Sequence, residues 1–166
     1  MIGRRGLGWL MPVALALAAS CAGLPEAASW PRVAADDAEG LPPIARLLLP
    51  GAVVAGELGS FAYREAYSDT PWPDARGLTP VSVPAGRPQL TFALPPGNHF
   101  VRWTATFAAA DDPSAEMLVP LADGSGDARE QTRVNSPPAG EWVVQLHLTF
   151  ADSDGDATYY WRVAVP

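Results

Sequence analysis

The sequence predicts an all-β domain built as a single antiparallel sandwich, and three observations carry that expectation. The last two apolar runs, "EWVVQLHLTF" (141–150) and "ATYYWRVAV" (157–165), alternate apolar and polar residues with a period of two, as strands with one buried face do. Between them stands Asp154-Gly155, a pair that tolerates positive φ and favours a hairpin turn. From Ile44 onward no stretch keeps a helical apolar period for three turns, which argues against a helical core.

The chain opens differently. Arg4 and Arg5 precede an uncharged, largely apolar run from Leu7 to Ser20. That is the length of an export-signal core and short of the about 20 residues that a membrane span needs. Residues 1–20 therefore read as a signal peptide. Its end, Leu17-Ala18-Ala19-Ser20-Cys21, holds the only cysteine of the 166 residues. This stretch resembles the lipobox of bacterial lipoproteins, with Ala18 where Leu is commoner. The resemblance implies cleavage before Cys21, a diacylglyceryl thioether on its sulfur and acylation of the new amino terminus.

Two other readings of these residues stay open. Ala18 and Ser20 also satisfy the small-x-small rule of an ordinary signal peptidase, which would release a soluble protein, and an uncleaved helix would itself be an anchor. Lipidation is preferred because a lone exposed thiol in an oxidising compartment invites mixed disulfides. An alkylated cysteine is inert, and two or three acyl chains anchor stably. The expected location is thus the cell envelope, with the membrane reached through the lipid on Cys21. Ala22 after the cysteine points to the outer membrane where the host has two, and the cell surface is expected otherwise.

Residues 21–43 are expected to be a tether. After Cys21 the stretch is rich in Ala, Pro, Asp and Glu without a period of 2 or 3.6, too poor in apolar residues to repay ordering. As a flexible coil it spans about 25 Å. Its one aromatic residue is Trp30. Removing residues 1–20 takes away two arginines and no acid, moving the net charge from −7 to −9, and there is no lysine anywhere. That balance excludes nucleic acid as a partner, which needs clustered cations.

The domain proper is expected over 44–166. "AVVAGELGSFAYRE" (52–65) is long and interrupted by glycine, with a bulge expected at Gly56 or Gly59. Shorter strands are expected at 80–83, 89–94, 115–121 and 129–134. "HFVRWTATF" (99–107) places His99, Val101, Trp103, Ala105 and Phe107 on one face. In the final pair, Trp142, Val144, Leu146, Leu148 and Phe150 face inward with Tyr159, Trp161, Val163 and Val165, while His147 and Tyr160 face out. About eight short strands, a Trp on a middle strand and an aromatic final hairpin suit an immunoglobulin-like or fibronectin-like sandwich. Trp103, Trp142 and Trp161 are expected to be buried and mutually close.

"GELGSFAY…SDTPW" followed by "GEW…TYYWRV" is similar to a group of uncharacterised secreted bacterial β domains that carry a Gly-Ser-Tyr-Cys-Trp run and a second cysteine. Here Gly59-Ser60 match, while Phe61, Ala62 and Tyr63 replace Tyr, Cys and Trp. The resemblance implies a lost disulfide and brings no activity.

Chemistry is sparse. His99 and His147 lie far apart in the chain, and no G-x-S-x-G elbow or S-x-x-K occurs. His99 reads as a core or strand-edge residue and His147 as solvated. "GSG" (124–126) reads as a turn. "DSDGD" (152–156) sets Asp152, Asp154 and Asp156 at alternate positions, like half an EF-hand, but Ala157 and Val163 stand where Gly and Glu belong. A solvated turn is the better reading, so no metal or other cofactor is expected. Tyr63, Tyr67 and Trp72 are the candidate binding surface, set against the reading that Trp72 plugs the core. The expectation is a non-catalytic envelope module, not an enzyme, recognising a protein or glycan. The alternative is an envelope hydrolase using Asp111, Asp112, Asp152 and Asp154.

Overall fold

The computed structural model describes residues 40–112, 117–151 and 154–166. Cys21, the signal peptide, residues 22–39 of the tether with Trp30, and Asp152 lie outside them. The strands run β1 (Arg46–Leu49), β2 (Ala52–Ala55), β3 (Glu57–Tyr63), β4 (Ala66–Ser68), β5 (Pro80–Ser82), β6 (Gln89–Ala93), β7 (Phe100–Ala109), β8 (Val119–Arg129), β9 (Gln131–Asn135), β10 (Gly140–Phe150) and β11 (Gly155–Val165). They make two sheets, one ordered β2-β1-β6-β9 and one ordered β4-β3-β11-β10-β7-β8. Every pairing is antiparallel except that of β5, which runs parallel to β11 over Arg162–Ala164.

One apolar core fills the space between the sheets. The four-stranded sheet contributes Leu47, Leu49, Leu90, Phe92 and Val134, and the other contributes Trp103, Phe107, Leu146, Leu148, Phe150, Tyr159, Trp161 and Val163. Burying side chains of this size stabilises by about 1.5–3 kcal/mol each. Two aromatic side chains of β11 also fasten one sheet to the other. Trp161 packs on Phe92 at 4.9 Å and its indole N–H donates to the Val54 carbonyl at 3.1 Å. Tyr159 donates its hydroxyl to the Pro43 carbonyl at 2.6 Å.

The chain passes from one sheet to the other at Gly56, between β2 and β3. A Cβ there would sit 2.6 Å from Trp161 Cζ2, so only glycine lets the backbone cross under the indole. Gly59 then lies at the β3 bulge, where Leu58 and Phe61 oppose Tyr159 and Ala157. The expected bulge is therefore at Gly59, and Gly56 is the crossover.

The described residues form eleven strands against the about eight expected from sequence. "RLLL" of β1 shows no alternation because all four residues are buried. β8 runs straight through "GSG", which is not a turn: Gly124 pairs with Trp103, and a Cβ on it would lie 2.8 Å from that indole nitrogen. The expected inner face of 99–107 is also corrected. Opposite β10, Thr149 pairs with Arg102 and Phe150 with Phe100, so Val101 is bulged out. The bulge puts Phe100 in the core and leaves His99 exposed.

Two of the three tryptophans are buried as expected, and the third is only partly so. Trp103 and Trp161 are buried. Trp142 is half-buried at one end of the sandwich, edge-on to Phe107 at 4.9 Å, and its N–H donates to the Pro138 carbonyl at 2.8 Å.

Candidate functional site

The outer face of the seven-stranded sheet is not open, contrary to the alternation that placed Tyr160 in solvent. The connection from β4 to β5, residues 69–79, crosses it. Ser60 fixes the start of that crossing, donating its hydroxyl to the Thr70 carbonyl and accepting from Thr70 N–H, each at 3.0 Å. Trp72 then stands edge-on to Tyr160 at 5.1 Å. Ala75 and Leu78 join Tyr160 and Val143 in a second small core. Burial pushes the Tyr160 hydroxyl's pKa up, and a hydrogen bond from Gln145 offsets part of that.

Beside this cover lies a cleft of about 660 Å³. Asp74 and Arg76 line one wall, Asp111 and Glu141 the other, with Arg162 and the methyl groups of Ala75 and Ala110 completing the lining. A tight turn shapes the first wall: Asp74 Oδ1 accepts from Arg76 N–H at 2.9 Å and its carbonyl accepts from Gly77 N–H at 2.9 Å. The second wall is held where β7 meets β10, with Ala110 N–H donating to the Glu141 carbonyl at 3.1 Å. Arg162 Nη2 donates to Glu141 Oε2 at 2.6 Å. The arginine Nε is buried without a hydrogen-bond partner among the described residues. The cleft thus offers three carboxylates and two guanidinium groups above an apolar floor.

Other candidates from the sequence fall elsewhere. Tyr63 is buried, edge-on to Phe150 at 5.2 Å, Trp72 is half-buried, and Tyr67 is exposed. The three do not form a row of exposed aromatics, which corrects the expected surface. At the hairpin tip, Asp154 is bound to Arg64: its carbonyl accepts from Arg64 N–H at 2.8 Å and its Oδ1 lies 3.4 Å from Arg64 Nε. Asp156 is inside β11, paired with Thr149. Among the described residues no group of three His, Cys, Asp or Glu is placed to hold a metal ion. His99 Nε2 lies 3.6 Å from Glu130 Oε1. His147 Nδ1 is 3.2 Å from the Thr158 hydroxyl, half-buried and not free in solvent. Asp111 and Asp154 stand at opposite ends of β10, which separates them by about 23 Å or more, so these two acids do not share one cleft.

The sequence reading found Asp111 but for another site, and it missed Asp74, Arg76, Glu141 and Arg162. No local motif joins these residues.

No family model and no curated protein matches the chain. Among solved structures it is similar to a polysaccharide monooxygenase CBM33, at 14% identity and a TM-score of 0.42, over 53% of this chain and 60% of that one. It is also similar to the catalytic domain of an LPMO from Listeria monocytogenes, at 16% identity and a TM-score of 0.41, over 54% of this chain and 60% of the other. The chain thus spans less than two thirds of either. Both are named as enzymes, and the expectation of a non-catalytic module that is not an enzyme is withdrawn. A likeness at this level assigns neither an activity nor a substrate.

Proposed function

We propose that this chain is an exported envelope protein whose cleft binds a polyhydroxylated ligand, a glycan. The observation that carries the reading is the alternation of carboxylate and guanidinium groups around one cleft: Asp74, Arg76, Asp111, Glu141 and Arg162. A sugar hydroxyl donates to a carboxylate while accepting from a guanidinium, so adjacent hydroxyls of one ring engage both. Half-buried Trp72 next to this wall supplies an apolar flank. The alternation of charge suits a neutral ligand better than a polyanion, for which three carboxylates are repulsive.

Titration with cell-wall oligosaccharides, followed by calorimetry, tests it. Arg162→Ala and Glu141→Gln are each expected to weaken binding about tenfold or more, the equivalent of about 1.4 kcal/mol. Saccharides that bind wild type and both variants alike, or none that binds at millimolar concentration, would rule the cleft out. Product analysis by mass spectrometry in the same samples reads whether the bound glycan is turned over.

The anchor belongs to the same proposal. Acylation of Cys21 would hold the cleft at the envelope, supported by the lipobox-like Leu17–Cys21 and the positive segment before it. Cys21→Ser is expected to abolish labelling by a fatty-acid analogue and move the protein to the soluble fraction. Membrane retention without label would overturn it. The two packed sheets are assigned, within this reading, to the immunoglobulin-like or fibronectin-like sandwiches.

A further inference from the structure

The charges of the cleft do not all close on one another. Arg162 is engaged with Glu141 across 2.6 Å, and Asp74 is held by its own turn through the Arg76 N–H at 2.9 Å. Two side chains are left over. The Arg76 guanidinium on one wall and the Asp111 carboxylate on the other are both exposed. Neither group makes a hydrogen bond or ion pair among the described residues. With Arg162 and Glu141 cancelling each other, Asp74 and Asp111 stand against Arg76 alone, and the cleft keeps one negative charge in excess.

Resting on the reading that this cleft binds a glycan, we propose that the glycan carries one protonated amino group, an unacetylated amino sugar among neutral ones, and that Asp111 selects it. Sugar oxygens serve a free guanidinium well, because they accept hydrogen bonds without a charge of their own to desolvate. Hydroxyl groups serve a free carboxylate less well. A ring closing over Asp111 strips its water, and an ion that loses its hydration is costly unless a counter-charge replaces it. An ammonium supplies that charge with three N–H donors, and its bonds to a carboxylate are about twice as strong as neutral ones. At Asp111 it meets no competitor, since Glu141 already has Arg162 and Asp74 already accepts within its turn. The two guanidinium groups set the upper limit. A chain with an ammonium on every unit brings cations against Arg76 and Arg162, where like charges repel. One isolated amino group is therefore favoured over none and over a run of them.

Three oligosaccharides of one backbone and one length test this: N-acetylated on every amino sugar, de-N-acetylated on one, and de-N-acetylated on all. In calorimetric titrations of the full chain, the singly de-N-acetylated form is expected to bind about tenfold tighter than the fully acetylated form, and tighter than the fully de-N-acetylated one. Asp111→Asn is expected to bring the singly de-N-acetylated form down to the affinity of the fully acetylated one. Asp111 is exposed, so the melting temperature of that variant should match wild type. Asp127→Asn removes the same charge from β8, about 25 Å away along β7, and is expected to leave the preference in place. A preference lost equally in both variants comes from the acidic surface as a whole and overturns the assignment to Asp111. Equal binding of the acetylated and singly de-N-acetylated forms, both weakened by Arg162→Ala, keeps the glycan reading and overturns this proposal alone. Tightest binding of the fully de-N-acetylated form overturns it too, since affinity would then simply follow ligand charge. No binding of any of the three at millimolar concentration overturns the glycan reading itself, and the proposal with it.

Discussion

At the closed end of the β10–β11 hairpin, Arg64 Nε lies 3.4 Å from Asp154 Oδ1; at the open end, Arg162 Nη2 lies 2.6 Å from Glu141 Oε2. Each end has an arginine, a carboxylate and further acids nearby, and in sequence the closed end looks richer. Its aspartate, however, is spent on backbone geometry. Arg64 has φ 52°, the one non-glycine residue with positive φ among those described. Its N–H and side chain both bind Asp154, and its guanidinium lies 4.9 Å from the Tyr63 ring centroid. The pair ties the β3–β4 turn to the start of β11. At the open end the corresponding pair borders a cleft, because residues 69–79 and the end of β7 rise on either side of it. An acidic run close in sequence marks a turn, and acids from three separate elements make a concave site.

The largest effect that distinguishes the two ends from the frame between them is expected at Trp161. Its truncation removes the Phe92 contact and the bond to the Val54 carbonyl, so Trp161→Ala should cost about 3–5 kcal/mol. Trp142, half-buried at the open end, should cost about 1–2 kcal/mol on the same change. Denaturant midpoints shifted equally by the two substitutions would mean the open end is packed as tightly as the core, and the comparison would fail.

The closed end is broken by Gly155→Ala. Gly155 has φ 114°, and a Cβ there would collide with the Ala62 carbonyl. The backbone conformation alone costs a non-glycine residue about 1–3 kcal/mol, and the collision adds to it. Calorimetric melting should show the loss, with the cleft's saccharide affinity kept in the folded fraction. An unchanged melting temperature would show that the tip is free to relax.

How much of this was legible follows from what each residue is doing. The inward faces of β10 and β11 were readable because burial on one side imposes a strict period of two. β1 was not, since a strand buried on both faces has no alternation to read. His99 and Phe100 exchanged roles because a bulge shifts parity by one, and nothing in "HFVRW" signals where the extra residue sits. Tyr160 had its face assigned correctly and its burial missed, since the cover comes from residues about 90 positions earlier. The cleft was hidden for the same reason: Asp74 and Glu141 meet only once residues 69–79 have crossed the sheet.

A smaller effect separates the two buried tyrosines near these ends. Burial is the main cause that raises the pKa of both Tyr63 and Tyr160 above the usual 10.0. The unfolded chain then ionises first as pH rises. Their contribution to stability is therefore fully present below about pH 10 and lost as pH climbs through the folded values. Urea midpoints should fall above that pH. Tyr160→Phe should remove part of the slope, leaving the part due to Tyr63. A wild-type midpoint flat through this range would contradict the burial of both hydroxyls.

The smallest effect is expected at Asp154, and it tests whether the acidic tip has any ligand of its own. Its side chain forms an exposed ion pair with Arg64, and such pairs contribute little in water. Asp154→Asn keeps the shape and an acceptor for Arg64, so the melting temperature should move only slightly. Saccharide binding at the cleft, about 23 Å or more away along β10, should be unchanged, since sites that far apart with no shared partner act independently. Calcium supplies the opposing outcome. If the tip holds an ion, millimolar Ca²⁺ raises the melting temperature by mass action, by about 2.7 kcal/mol at a hundred times the dissociation constant, and Asp154→Asn removes that rise. A turn held by Arg64 and Gly155 gives neither the rise nor its loss, because the carboxylate is already engaged and Asp156 is committed to its strand.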